Sequence, residues 1–340
     1  MLALDCHKLW AHGPRSGANG SIQTTNSYYF ANVFALSGFL VAGSLDRCKS
    51  LIMFLGLRAI RIFPALFVEV MLSALVLGVL FTNVPLTTYF TDHKFFTYLL
   101  NITGHIHYEL PGVFTNNPNP VRVNGQLWTV PFELYCYIAL FLIAFLGIYR
   151  YRIILPFVIT GLLAAWAVFF FTKHGFSGNR APTGVPGHLL IIYFLTGVAM
   201  ARFGDLIKWD GRLFSTAVIL SLTFLSFPIY GDILAIMPVT YVVIYLGLCN
   251  PTKVMILKGA DYSYGIFLYG YAIQQAWMAV HPSLHEWYWN IILALPTTTL
   301  MAMFSWHFIE KPALSSRKYL TALEEKWFKL KAWFLRGDAT

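Results

Sequence analysis

The chain has 340 residues, of which 57% are hydrophobic, 17% aromatic and only 11% charged, and its mean hydropathy is +0.61. Soluble domains carry about 25% charged residues, so the composition excludes a soluble globular protein and calls for a polytopic membrane protein. The four cysteines, Cys6, Cys48, Cys136 and Cys249, show no CxxC spacing, which argues against a disulfide framework or a zinc site.

Apolar segments of the roughly 17–25 residues that a helix needs to cross the hydrocarbon recur along the chain. They lie at 28–45, 62–82, 127–149, 152–172, 186–203, 214–230, 232–248, 261–281 and 288–309, which predicts an all-α transmembrane bundle of nine spans. Lys and Arg are retained on the cytoplasmic side. All but six of the 24 fall in one set of alternating loops or in the C-terminal tail; the six are Lys8, Arg15, Lys94, Arg122, Lys173 and Arg180. The C-terminus is therefore expected in the cytoplasm and the segment before residue 28 outside. The net charge of +9 follows from this topology, with no nucleic-acid partner implied. An outside start with no signal peptide in MLALDCHKLWAHGP predicts that a helix ahead of it is missing.

In chain order, residues 1–27 are polar and contain His7 and His12. A loop histidine is ordinarily just solvated. The first span carries Ser37 and Gly38, small residues that mark close helix packing or let a ligand's thin chain approach the backbone. Arg58 and Arg61 follow at i,i+3 on a helix that continues past Pro64; two guanidinium forks on one face read either as an anion site or as anchoring at the cytoplasmic boundary. Between Asn83 and Gln126 lies a long loop whose apolar piece, FFTYLL, is too short to span. It holds His105 and His107, a weak metal signal with no third ligand, and ends in the turn-rich PGVFTNNPNPVRVNG, placed to lid a pocket.

The stretch NGQLWTVPFELYCYIALFLIAFLGIY, 124–149, is long enough to cross a bilayer and carries one carboxylate, Glu133. A charge at that depth costs roughly 2.5–3.5 kcal/mol and so faces a partner or a wet cavity. Helical spacing sets Trp128, Glu133 and Tyr137 near one another, so Glu133 is either a structural tie between helices or a group in the chemistry. The spans from 152 to 248 are nearly free of charge and read as scaffold. DYSYGIFLYGYAIQQAWM then brings Tyr262, Ser263, Tyr264, Tyr269, Gln274 and Gln275, and SWHFIEKPAL closes the last span, where Pro312 is expected to stop the helix. Beyond it, residues 319–340 form an amphipathic cytoplasmic tail with Leu320, Leu323, Trp327, Leu330 and Phe334 in 3,4 spacing.

The strings FALSGFL, RAIRIFPAL, NGQLWTVPFELYCY, DYSYGIFLYGYAIQQ and SWHFIEKPAL, in this order, resemble the membrane-bound acyltransferase 3 family, bacterial enzymes that O-acetylate lipopolysaccharide, exopolysaccharide and Nod-factor sugars. The resemblance implies a membrane domain over 1–318 lacking its first family helix. It implies transfer of an acyl group from cytoplasmic acyl-CoA, acetyl-CoA above all, to a hydroxyl of a glycan or lipid-linked sugar in the bacterial inner membrane. No bound cofactor or metal is implied. His7, in LDCHKLW, takes the place of the family's catalytic histidine, with His12 as the reserve, and Glu133 stands with it as a catalytic residue. Arg58 and Arg61 become contacts for CoA phosphates, and Trp128, Tyr137 and Tyr264 contacts for substrate. The competing readings are a transporter, for which no internal repeat is found, and a degenerate, inactive acyltransferase.

Overall fold

The computed structural model describes residues 19–174, 187–227, 231–249 and 260–322, together with 324 and 326. Among them no strand forms; an isolated antiparallel bridge joins Thr82 and Val113. The principal helices are α1 (Asn19–Asp46), α2 (Leu51–Leu72), α3 (Leu86–Thr91), α4 (His93–Leu99), α5 (Val130–Phe145), α6 (Ile154–His174), α7 (Gly187–Arg202), α8 (Gly211–Ser226), α9 (Ile236–Leu248), α10 (Ser263–Val280) and α11 (Leu295–Ser305).

Several starts are written in the sequence as side-chain caps. Ser50 accepts from the amide of Met53 at the head of α2, Asp92 from Lys94 at the head of α4, and Asp210 from Leu213 at the head of α8. The stretches Leu51–Phe81, Gly125–Phe145 and Trp287–Ala322 are long and apolar enough to cross a membrane, and five shorter apolar helices accompany them. Leu40, Phe157, Ile219 and Phe308 on these helices are exposed, as lipid-facing side chains are. The chain is thus a helical membrane protein.

Two elements differ from expectation. The segment after Asn83 contains α3 and α4 rather than one irregular loop, with Tyr89 and Tyr98 fully buried. Pro312 does not stop the last helix. A π-helical turn, Trp306–Glu310, precedes it, and the helix runs on through Lys311–Ser315, so the proline falls just where the regular α-helical ladder is already interrupted.

The chain forms two compact units. The first comprises residues 48–131 and the described residues from 260 onward. In it α10 packs closely on α11, where a Cβ on Gly265 would meet the Ala302 backbone at 2.9 Å. The second comprises residues 19–47 and the described residues of 132–249. Its centre is α7, buried over nearly its whole length from Leu189 to Met200. Gly197 of α7 faces the Ala35 carbonyl of α1, and Gly38 of α1 faces the Phe194 carbonyl of α7, so both helices approach backbone to backbone. Gly38 therefore serves helix packing.

Candidate active site

Glu133 and Tyr137 lie one helical turn apart on α5 in the second unit. The Tyr137 hydroxyl donates to Glu133 Oε1 at 2.5 Å, as the i,i+4 spacing requires. Tyr137 is buried and meets the Phe194 ring edge-on, whereas Glu133 is half-buried. A carboxylate held by a phenol keeps acceptor capacity on its other lone pairs, which suits it to orient a donor or take a proton.

In the first unit, Arg61 Nη2 donates to Asp261 Oδ2 at 2.5 Å. Its guanidinium lies 5.6 Å from the centre of the Tyr264 ring, whose hydroxyl donates to the Ile62 carbonyl at 3.1 Å. Asp261 also accepts from the Ser263 amide and hydroxyl. Arg58 lies one turn before Arg61 on α2 and is half-buried. Of the residues expected to bind substrate or donor, Arg61 and Tyr264 are therefore in contact.

Trp128, half-buried, rides on the 3-10 turn Gly125–Thr129, which runs directly into α5. It belongs to the first unit, and Glu133 and Tyr137 belong to the second. The turn-rich segment before it is fastened to α10. Asn117 donates to the Gln275 side chain at 2.6 Å, Asn119 to the Tyr271 hydroxyl at 2.6 Å, and Gln275 to the Arg122 carbonyl at 2.7 Å. The fastening runs from Asn117 to Arg122, the middle of the turn run.

His7 and His12 lie outside the described residues. His105 and His107 stack edge to face with ring centres 4.9 Å apart, and no group of three potential metal ligands exists among the described residues. Burial, with His105 and His93 adding to it, pulls His107 below its ordinary 6.5 and favours the neutral ring.

Sequence reasoning singled out Glu133 but passed over two other buried groups. Glu69 on α2 is 1% exposed, and its Oε1 accepts from Ser73 at 2.8 Å and from Asn124 at 2.7 Å. Glu310, at the end of the π-helical turn, is also buried and accepts from Ser305, which in turn accepts from Tyr269. The signal for Glu69 was present, since FPALFVEVML is as apolar as the run around Glu133 and holds one carboxylate. Glu310 stands at the end of the last predicted span, where a carboxylate reads as a boundary residue rather than a buried one.

A family model described as an acyltransferase domain matches residues 21–308. The chain is 27% identical over 293 residues to an O-acetyl transferase of Shigella phage Sf6, covering 83% of each chain. It is likewise 27% identical over 313 residues to nodulation protein 10 of Rhizobium leguminosarum bv. viciae, covering 85% of this chain and 82% of that protein. No solved structure matches the chain.

Proposed function

The chain belongs to the acyltransferase 3 family, and from that premise we propose that this membrane acyltransferase moves an acetyl or other acyl group from cytoplasmic acyl-CoA to a hydroxyl of a cell-surface glycan or lipid-linked sugar. The likeness to a protein named an O-acetyl transferase carries the reading of an oxygen acceptor. The pair Arg58 and Arg61 on one face of α2 supports the donor, since guanidinium forks suit phosphate. In this proposal the chain spans the inner membrane nine times with its C-terminus cytoplasmic, the catalytic domain runs to residue 318, and residues 319–340 form a surface tail.

The chemistry follows from the residue types. A sugar hydroxyl is a poor nucleophile at neutral pH, so His7 accepts its proton as the oxygen attacks the thioester carbonyl. The C–O bond forms, the C–S bond breaks, and the proton passes to the departing thiolate, giving ester and free thiol. Trp128 offers an indole N–H donor to the oxyanion that forms on the way, and Tyr137 holds Glu133 through its hydroxyl. Glu133 orients the histidine or the acceptor, and Tyr264 keeps Arg61 in place for the donor. The scheme needs no metal and no bound cofactor.

The experiment is to supply membranes carrying the chain with labelled acetyl-CoA and to isolate total glycans. Label on sugar that depends on the chain is expected, together with its loss in His7→Ala at an unchanged protein level. Loss in His12→Ala instead would move the base to His12, and an absence of sugar label from the unaltered chain overturns the reading.

A further inference from the structure

Glu69 is a buried carboxylate that the scheme above does not use. Its Oε1 accepts two hydrogen bonds, but Oε2 is buried without a partner. As a device for stability this is a poor arrangement, because an apolar side chain of similar shape would avoid burying the carboxylate at all. What the carboxylate reaches is more informative. The Nδ2 of Asn124 donates both to Glu69 and, at 2.8 Å, to the Leu268 carbonyl of α10. Its Oδ1 accepts from the Gln126 amide at 3.2 Å and so caps the turn Gly125–Thr129. One asparagine thus joins α2, α10 and the turn.

That turn carries two groups suited to a substrate. One is the Trp128 indole. The other is the side-chain oxygen of Gln126, which is buried with no donor of its own. Small displacements of such groups cost turnover steeply, about 100-fold for an ångström.

We propose that Glu69 is a positioning residue for acyl transfer, holding Asn124 and through it the turn that presents Gln126 and Trp128. The proposal rests on the acyltransferase reading, so its test carries one measurement that does not need activity. Glu69→Met matches the shape without the acceptor, and Glu69→Gln keeps an oxygen for Asn124 and Ser73. Both variants, Asn124→Ala and the Glu69→Met/Asn124→Ala double are compared in membrane level, kcat and KM for acetyl-CoA, and in amide hydrogen exchange of residues 124–129.

Glu69→Met is expected at the normal level, with kcat down about 10- to 100-fold, KM for acetyl-CoA unchanged and faster exchange in the turn. Glu69→Gln should restore most of the turnover, and the double variant should be little worse than either single one. A residue that merely filled space would tolerate Met. Wild-type kcat in Glu69→Met, failure of that variant to accumulate, unchanged exchange in the turn, or losses that multiply in the double variant would each overturn the proposal. If the unaltered chain transfers no acyl group, the acyltransferase reading falls, while the exchange data still decide whether Glu69 holds the turn.

Discussion

Arg61 and Asp261 are 2.5 Å apart, Nη2 to Oδ2, although 200 residues of chain separate them. The pair ties α2 to the residues just ahead of α10, with the Tyr264 ring beneath the guanidinium. An anionic donor that uses Arg61 has to share it with this carboxylate. Arg58, one turn away, is not part of that ion pair.

If the two arginines bind a remote part of acyl-CoA, they contribute equally in ground and transition states, and their loss appears in KM. Replacing both by Gln is expected to raise KM for acyl-CoA about tenfold or more and to leave kcat near its original value. Steady-state kinetics on membranes at matched protein level provide the check. An unchanged KM with altered membrane orientation would make the pair topological anchors.

The ion pair itself can be tested by removing its charge. Asp261→Asn keeps an oxygen for the Ser263 amide and hydroxyl but takes away the partner of Arg61, so in detergent it should melt below the unaltered chain. Equal melting would show that the charge is not what stabilises the junction.

The local half of this architecture was legible in the sequence, and the long-range half was not. Ser50, Asp92 and Asp210 cap helix starts within three residues, a local signal that the reading of apolar spans did not use, so the helix after Asp92 was expected as loop. The Glu133 and Tyr137 contact follows from helical period alone. The bond from Asn124 to Glu69 crosses 55 residues and that from Arg61 to Asp261 crosses 200, and periodicity has no reach over such distances. The π-helical turn before Pro312 was invisible for another reason, since no periodicity of apolar residues marks where one extra residue enters a helical turn; in the structure Ser305 and Glu310, five residues apart, are hydrogen-bonded across it.

Gly38 provides a test of packing. A Cβ there would overlap the Phe194 carbonyl, which is backbone and cannot swing aside, so α1 and α7 would have to separate. Gly38→Ala is expected to cost about 1–3 kcal/mol, the range for overpacked cores. Gly161 on α6, where a Cβ would meet nothing within 4 Å, supplies the control, and Gly161→Ala should be neutral or slightly stabilising. Thermal unfolding of purified protein compares the two. Equal melting would mean that the close approach of α1 and α7 does not limit stability.

Glu133 is where a structural tie and a chemical role predict different results. Glu133→Gln preserves size and still offers an oxygen to the Tyr137 hydroxyl, so the hydrogen bond seen at 2.5 Å has a successor and the protein should accumulate normally. What it removes is the negative charge and the ability to take a proton. Positioned acid–base groups contribute about 100-fold or more to rate, and a loss of turnover of that order is the expected result. Tyr137→Phe leaves the carboxylate without its donor and should cost less, because hydrogen bonds between membrane groups are worth only about 0.6–2 kcal/mol. Glu133→Ala loses both features and should fall in level as well as in rate. Protein level and acyl transfer measured together for the three variants decide the matter: normal level with normal transfer in Glu133→Gln would rule out any need for the carboxylate charge.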